Sequence, residues 1–511
     1  MKQKVFPATA LVVLFLFCFC FPVPAALALE NVEQGIGAVH EVMEYIYNHH
    51  LDRPGAGPLT EGAIRGMIES LHDPYTEYLS PENLSKFVSS IDGGFSGIGV
   101  ELEAQEPYPV VTRLIAGSPA ARAGLRPQDR LIRVDGEDLA GRPLLEVVEK
   151  IRGPQGSLVR LTVRRPRPGG PDPAGSGPGE SAPGDAVPGK LAPGEPGFQE
   201  FKVEIERAEV TGPTCEWRML PENVGYIYVH TFGTRTAQEF KEALAELQKG
   251  GMKGLVLDLR NDPGGYLQAA VDIAGCFLPP GKLVVTTLDR DGDREEYKTA
   301  GGAGRFSLPL VVLINHYSAS AAEVLAGALA DHRVAVLLGT RSYGKGVVQA
   351  VIPLRAGGAL KMTIARYLTP RGVAIDQNGL QPERPVSTSE LQLILARQFV
   401  STRPTRQIKF ALDGSGAVLD GESTGGRFAL WRRGNEFYLP LRFTLEAFGY
   451  EVKWTGTAEG IAVKGKGQEF LLPLNGKDLL VKDGTTYLKA DSTGLAEIKV
   501  YRQGPFLILE T

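Results

Sequence analysis

The apolar positions of this chain change their period several times, and each change marks a new piece of structure. From Glu33 to His49, Ile36, Val39, Val42, Met43, Ile46 and Tyr47 recur at helical spacing, and Leu59 to Leu71 does likewise. Ser80-Pro81 predicts a third short helix, with Ser80 as its cap and Pro81 at its first position. From Phe95 the spacing becomes that of strands: Gly97–Leu102, Val110-Val111, Arg130–Val134 and Val159–Val163. Short helices are expected between them at Pro119–Ala123 and Leu144–Ile151, with a tight turn at Asp135-Gly136.

Residues 166–197 differ in kind. Of these 32 residues, 18 are Pro or Gly, and Val187 and Leu191 are the only large apolar side chains. Such a segment cannot bury enough surface to offset its ordering entropy, so a disordered insertion is expected. The strands on either side, Val159–Val163 and Phe198–Ile205, are then expected to pair across it. From Gly225 to about Val400 strands alternate with helices. The strands are Gly225–Val229, Gly254–Leu259, Leu283–Thr287, Leu308–Ile314, Val334–Leu338, Val347–Pro353 and Leu360–Tyr367; the helices are Thr236–Lys249, Tyr266–Phe277, Ala321–Ala330 and Thr388–Phe399. That alternation predicts an α/β core with a largely parallel sheet. Beyond Arg403 the apolar run Phe437–Phe443, a short helix at Leu445–Phe448 and strands at Glu451–Trp454, Ile461–Val463 and Glu469–Leu472 predict a separate small α+β domain.

Composition adds limits. At 511 residues the chain is too long for a single core, and its 43% hydrophobic and 22% charged residues are ordinary for a soluble multidomain protein. A net charge of -4 offers no basic face for nucleic acid. Lys2 and Lys4, the apolar stretch Ala10–Phe21 and Ala26-Leu27-Ala28 predict a secretory signal cleaved after Ala28, with an uncleaved anchor as the alternative, so the chain is expected outside the cytoplasm. Cys18 and Cys20 fall inside that stretch. Cys215 and Cys276 remain, and in an oxidising compartment they could pair.

Candidate chemistry narrows by elimination. Seven histidines (His40, His49, His50, His72, His230, His316, His332) sit in no triad motif, and there is no Gly-x-Ser-x-Gly elbow. No His-Glu-x-x-His spacing offers a zinc site, and Cys276 lies on an apolar helical face. Gly339-x4-Gly344-Lys345 imitates a phosphate loop, but Gly346 stands where Ser or Thr should hold magnesium and a strand follows instead of a helix. What remains is Ser320, at a strand-to-helix turn, with Lys345 downstream among glycines. A serine hydroxyl needs a base, and a lysine is a base only when neutral. Lowering its pKa from about 10.4 to about 7–8 takes on the order of 4 kcal/mol, which burial without a carboxylate partner can supply. No acid lies near Lys345 in sequence.

These residues carry a resemblance to the carboxyl-terminal processing peptidases, serine proteases with a PDZ domain and a Ser/Lys dyad. Ser318-Ala319-Ser320-Ala321-Ala322-Glu323 and Gly344-Lys345-Gly346-Val347-Val348-Gln349 match the family's two signatures. The resemblance implies Ser320, not Ser318, as nucleophile, Lys345 as general base and Gln349 as the residue that holds the lysine. Asp258–Gly265 resembles the loop that supplies part of the oxyanion hole, with Asp262 where Asn is usual. Gly264 or Gly265 and Ala321 are then the N–H donors. Asp73–Leu79 matches the family's N-terminal segment, and Asp376, Gly379 and Pro382 its closing motif.

Residues 95–165 resemble a PDZ domain on Gly97-Ile98-Gly99-Val100, Gly117–Leu125 and Asp129–Ile132, and Gly97, Ile98, Gly99 and Val100 take the place of its carboxylate-binding loop. Tyr438–Arg442 with Glu446–Gly449 resembles the copper amine oxidase N-terminal-like (stalk) domain, without a copper-ligand cluster. The expected architecture is thus multidomain α/β and α+β: signal 1–28, helical region 29–94, PDZ domain 95–165, insertion 166–197, peptidase core 198–402 and accessory domain 403–511. The expected function is an exported, cofactor-free serine endopeptidase acting on proteins or peptides with apolar C-termini. The alternative is a catalytically silent PDZ scaffold. A cell-wall or envelope partner is expected through residues 403–511. A homodimer through the N-terminal helices follows from the resemblance. Whether the PDZ domain blocks or activates stays open here.

Overall fold

The computed structural model describes residues 32–103, 105, 107–167, 198–300, 306–402, 407–424, 428–456, 460–474, 478–492 and 498–510. The expected signal and nearly all of the Pro/Gly insertion lie outside these residues. The chain forms two compact units, one ending at Tyr78 and one beginning at Leu79.

The first unit contains helices Val32–His49 and Ala56–Glu69, as the apolar spacing predicts. A turn follows in which Asp73 accepts from the N–H of Tyr75 (2.9 Å) and from Thr76 Oγ1 (2.5 Å). The second unit opens with helix Pro81–Ile91, where Ser80 Oγ accepts the N–H of Asn83 at 3.3 Å and Pro81 sits in the first turn.

The small-strand module follows. Strand Arg130–Val134 turns at Asp135-Gly136, both at positive φ, and Leu158–Pro166 pairs antiparallel with Phe198–Glu206 as expected, with Val159 opposite Ile205. Val100–Glu103 is an edge strand of this sheet. Gly94–Gly97 leaves it to pair with Ala208–Thr211, a two-stranded ribbon that the apolar pattern did not reveal.

The core has strands β1 (Cys215–Leu220), β2 (Val224–Val229), β3 (Gly254–Asp258), β4 (Leu283–Asp289), β5 (Leu310–Ile314), β6 (Val336–Gly339), β7 (Val347–Pro353), β8 (Ala359–Leu368) and β9 (Arg384–Pro385). Its helices are α1 (Thr236–Lys249), α2 (Leu267–Ala274), α3 (Ala321–Asp331) and α4 (Ser389–Val400). The main sheet runs β1-β2-β3-β5-β6-β9, antiparallel only between β1 and β2. A second, antiparallel sheet joins β4 to β8 and β8 to β7.

A parallel sheet must be covered on both faces. On one face Ile227, Val229, Leu255, Leu257, Val312 and Ile314 pack against α1, α2 and α3. The alternate residues Tyr226, Val256, Val311 and Leu313 face the other way. There the single helix α4 contributes Leu391, Ala396 and Val400, and the carboxy-terminal residues Ile408, Phe410, Leu419, Leu439 and Leu509 continue the same core. The carboxy-terminal domain therefore packs against this face of the sheet and helps to cover it. Within it strand Glu436–Pro440 is followed directly by helix Leu441–Ala447, so the helix expected at Leu445–Phe448 starts inside the apolar run Phe437–Phe443. Cys215 and Cys276 are free thiols.

Candidate active site

The parallel strands β3, β5 and β6 end at one edge of the sheet, so the loops after them meet there. Each loop carries residues singled out from the sequence: Leu259–Gly265, Asn315–Ser320 and Thr340–Gly346.

The first loop is anchored by Asp258, fully buried at the end of β3. Its carboxylate accepts from Tyr226 Oη (2.9 Å) and is forked by Arg260, Nε to Oδ1 at 2.9 Å and Nη2 to Oδ2 at 2.5 Å. Arg260 Nη1 also reaches Gln392 of α4 at 3.0 Å. This pair serves architecture, because each charge is satisfied by the other. The loop is then sewn to the next. Asn261 N–H donates to Asn315 Oδ1 (3.0 Å), Asn315 Nδ2 donates to Asn261 Oδ1 (2.8 Å), and Ala319 N–H donates to the Asp262 carbonyl (2.9 Å). Gly264 has φ +94, and its N–H donates to Asp262 Oδ1 at 2.8 Å. Among the described residues, the N–H groups of Gly265 and Ala321 have no internal acceptor.

The second loop separates the two serines. Ser318 is buried, its hydroxyl donating to the Leu259 carbonyl (2.8 Å) and accepting the Asn315 N–H (2.9 Å). Ser320 is half-buried and caps α3 with φ +55 and ψ -118. Such a backbone stores roughly 1–3 kcal/mol in a non-glycine residue and persists only where neighbours impose it. His316 is exposed and leans on Tyr317, with ring centroids 3.8 Å apart.

What imposes the Ser320 turn is Glu323. Buried in the first turn of α3, its Oε2 accepts the N–H of Ser320 (3.0 Å) and the N–H of Lys345 (2.9 Å). Its Oε1 accepts the N–H of Gly344 (2.8 Å) and Ser342 Oγ (2.5 Å). Burial pushes the Glu323 carboxyl above its ordinary range, while these four donors hold it back. Sequence reading found no acid near Lys345; the fold brings this one to its main chain. A Ser-x-x-Glu spacing at a helix start is the capping-box signature, the signal that could have revealed it.

The third loop is also clamped from its far side. Gly346 N–H donates to Asp376 Oδ1 at 3.3 Å, and a Cβ on Gly346 would lie 2.1 Å from the Asp376 nitrogen, so only glycine fits. The Gly344 carbonyl accepts the Gln377 N–H (2.8 Å), Leu380 N–H donates to Ser342 Oγ (2.6 Å), and Tyr367 Oη donates to the Lys345 carbonyl. The Asp376-to-Gly379 stretch thus supports the loop that carries Lys345. Lys345 itself is half-buried. Gln349 follows on β7 opposite Thr363, immediately after a bulge at Val348.

In the small-strand module, the Ile98 and Gly99 carbonyls accept the N–H groups of Ala120 (2.8 Å) and Ile115 (3.0 Å). Among the described residues, the N–H groups of Ile98 and Gly99 have no internal acceptor. The loop leads through Val100 into the open edge strand Val100–Glu103. A charged bridge joins the module to the core: Arg113 pairs with Glu101 and with Glu216 of β1 (2.7 Å), and Glu216 also meets His230 Nε2 at 3.0 Å.

Among the described residues no group of three or more His, Cys, Asp or Glu side chains is placed to hold a metal, and no helix is long and apolar enough to cross a membrane.

Comparison with known proteins gives four family matches: peptidase family S41 over residues 223–386, PDZ domain over 110–165, the N-terminal domain of activating protease CtpB over 26–83, and copper amine oxidase N-terminal domain over 400–495. The probable CtpA-like serine protease of Staphylococcus haemolyticus is 32% identical over 394 residues, 75% of this chain and 73% of that protein. The carboxy-terminal processing protease CtpB of Bacillus subtilis is 33% identical over 353 residues, 68% of this chain and 67% of that one. A solved photosystem II D1 C-terminal processing protease is 29% identical, with 72% of this chain aligned to 92% of it at a TM-score of 0.42.

Proposed function

The chain belongs to peptidase family S41, the carboxy-terminal processing serine proteases, and on that premise we propose a mechanism in which Ser320 is the nucleophile, Lys345 its general base and Gln349 the residue that orients the base. The observation that carries this reading is the shared oxygen of Glu323, which accepts the N–H groups of Ser320 and Lys345 together and so builds nucleophile and base into one piece. Neutral Lys345 takes the Ser320 hydroxyl proton as Oγ adds to the scissile carbonyl. The new oxyanion is held by the N–H groups of Gly265 and Ala321; the Gly264 N–H is already engaged by Asp262. Lysine then gives its proton to the leaving amine, and water hydrolyses the acyl-enzyme.

Substrates are proteins or peptides. We assign their apolar C-termini to the Gly97-Ile98-Gly99-Val100 loop, where free N–H groups would meet the carboxylate and the edge strand Val100–Glu103 would accept a peptide strand. The same reading makes the protein exported, with its mature end at Leu29. Exposed Trp454 and Val481 support an envelope contact through residues 403–511, and exposed Ile36, Val39, Val42 and Tyr45 on helix Val32–His49 support a homodimer.

A fluorophosphonate probe followed by peptide mapping tests the core of the proposal. The label is expected on Ser320 in the wild type and absent from Ser320→Ala, which should also lose cleavage of a peptide ending in small apolar residues. Lys345→Arg, which keeps the charge but cannot readily release a proton, should lose turnover too. A Ser320→Ala protein that cleaves at the wild-type rate overturns the assignment.

A further inference from the structure

Among the described residues, one carboxyl in the site has no charge partner. Asp262 is fully buried; its Oδ1 accepts the Gly264 N–H, and its Oδ2 has no hydrogen-bond partner. Its carbonyl accepts the N–H of Ala319, the residue before Ser320. The titratable groups that feel its charge are Cys215 of β1 and Tyr228 of β2, and both are held in their neutral forms: burial pushes the thiol far up and the phenol to about 12. Among the described residues no Lys, Arg or His acts on it; burial drives its carboxyl well above the usual range, opposed by the Gly264 bond. An ionised carboxylate in this place would be a buried charge with one donor, a state that proteins avoid by keeping the proton.

The position is one where the family resemblance expects asparagine. A protonated aspartic acid has the same shape as asparagine and offers the same carbonyl acceptor. We propose that Asp262 works as a neutral carboxylic acid, a positioning residue that captures the N–H of Gly264 and fixes the loop so that the N–H of Gly265 is the one turned to substrate. Ionisation would put a negative charge into the loop that has to hold an oxyanion, so turnover falls when Asp262 loses its proton. The positioning role rests on the Ser320 reading above; the neutral state does not.

The test uses the full chain as wild type, Asp262→Asn and Asp262→Ala. At pH 7 the infrared difference between wild type and Asp262→Asn should contain the carbonyl stretch of a protonated carboxylic acid. No such band means Asp262 is ionised and the proposal is wrong. Stability gives a second readout with a definite sign. The native pKa lies above the unfolded value of about 3.9, so between the two the native state keeps a proton that the unfolded state releases, and stability falls as pH rises through that window. The stability of Asp262→Asn relative to wild type should therefore grow from about pH 4 upward, by up to tenfold in the unfolding constant per pH unit; a pH-independent difference overturns the proposal. For positioning, Asp262→Ala should lose at least about tenfold in kcat with KM little changed, and the conservative Asp262→Asn should restore it. Wild-type kcat in Asp262→Ala removes the positioning role. Because the infrared and stability readouts involve no turnover, an active Ser320→Ala would overturn the positioning role without touching the neutral acid.

Discussion

Gly264 and Ser320 stand so close that a carbon added to Gly264 would lie 2.8 Å from the Ser320 Cβ and 2.9 Å from the Ala321 nitrogen. The loop after β3 is thus pressed onto the start of α3, and Gly264, at φ +94, is held there by bonds from Thr231 and Phe232 to its carbonyl. The Ala319 carbonyl lies 2.7 Å from the same added carbon, so three groups of the Ser320 turn crowd this one position.

Gly264→Ala is accordingly expected to push the loop off the Ser320 turn. The left-handed backbone and the contact together should cost about 1–3 kcal/mol of stability, while turnover falls by about 100-fold or more because the oxyanion donors lose their geometry. Peptide cleavage by a protein of near-native circular dichroism checks this. Activity within tenfold of wild type would show that the loop is not part of the reacting site.

Glu323→Ala leaves three backbone N–H groups and the Ser342 hydroxyl without their acceptor. Each buried donor left unmade costs about 1–3 kcal/mol, and some will find water, so a total loss of about 3–5 kcal/mol is expected. Glu323→Gln can keep its amide oxygen on the Ser320 and Lys345 N–H groups but then turns an NH2 toward the Gly344 N–H, so it should be less destabilised than Glu323→Ala yet still slow, because the loop that carries Lys345 is pushed from its place. Thermal midpoints and kcat of both variants decide the matter. Loss of stability in Glu323→Gln with full kcat would mean that the carboxylate supports the fold and not the alignment.

Much of this site was legible in the sequence, and the rest was hidden for a physical reason. Ser320 and Lys345 stood out because a nucleophile and a base need particular residue types in particular places, and the run Leu308–Ile314 stood out as a strand, which the fold forms over Leu310–Ile314 with every residue buried. Tyr367 did not, and Glu323 and Asp376 entered only as members of motifs with no role read for them, because their work is to hold main chain that is remote in sequence or ordinary in composition. Strand Cys215–Leu220 was missed as an antiparallel edge strand with a half-exposed Trp217, which leaves no continuous apolar run. The helix expected at Leu445–Phe448 begins four residues earlier, at Leu441, because an apolar run does not say where the backbone changes course; Pro440, at the N-cap position, marks it.

The bridge from Arg113 through Glu216 to His230 gives the attachment between module and core a pH dependence. The hydrogen bond from His230, and then the Arg113 charge, hold the Glu216 carboxyl below its ordinary range. A depressed carboxyl stabilises its contact above the unfolded value of about 4.3, and that contribution is lost as pH falls through the folded value. These side chains are well exposed, so salt should weaken the contact as well. Hydrogen exchange at Val110–Leu114 and Cys215–Leu220 is expected to rise as pH drops below about 4, and Glu216→Gln should show the raised exchange already at pH 7. Exchange identical in the variant and the wild type would remove the bridge as an attachment point.

The carboxy-terminal layer makes the strongest demand on the fold. Tyr226, Val256, Val311 and Leu313 on the sheet and Leu391, Ala396 and Val400 on α4 share a core with Ile408, Phe410, Leu439 and Leu509. Glu446 adds a polar anchor across the same boundary, accepting the N–H groups of Ser387 (3.0 Å) and Thr388 (2.9 Å) just ahead of α4. If this part were only a tether, a chain ending at Thr402 would keep its melting temperature and its cleavage activity. The shared core predicts otherwise. Each large apolar side chain returned to water loses about 1.5–3 kcal/mol, so the shortened chain should be insoluble or melt at least about 10 °C lower. Glu446→Ala, which removes the anchor and the Arg442 ion pair beside it, should cost about 1–3 kcal/mol and leave kcat unchanged, because it touches none of the three loops at the reacting edge. Melting curves of the two variants separate a covering layer from a hanging one: a shortened chain as stable as the full one would mean that the sheet tolerates an open face, and the carboxy-terminal part would have to be explained by its partners alone.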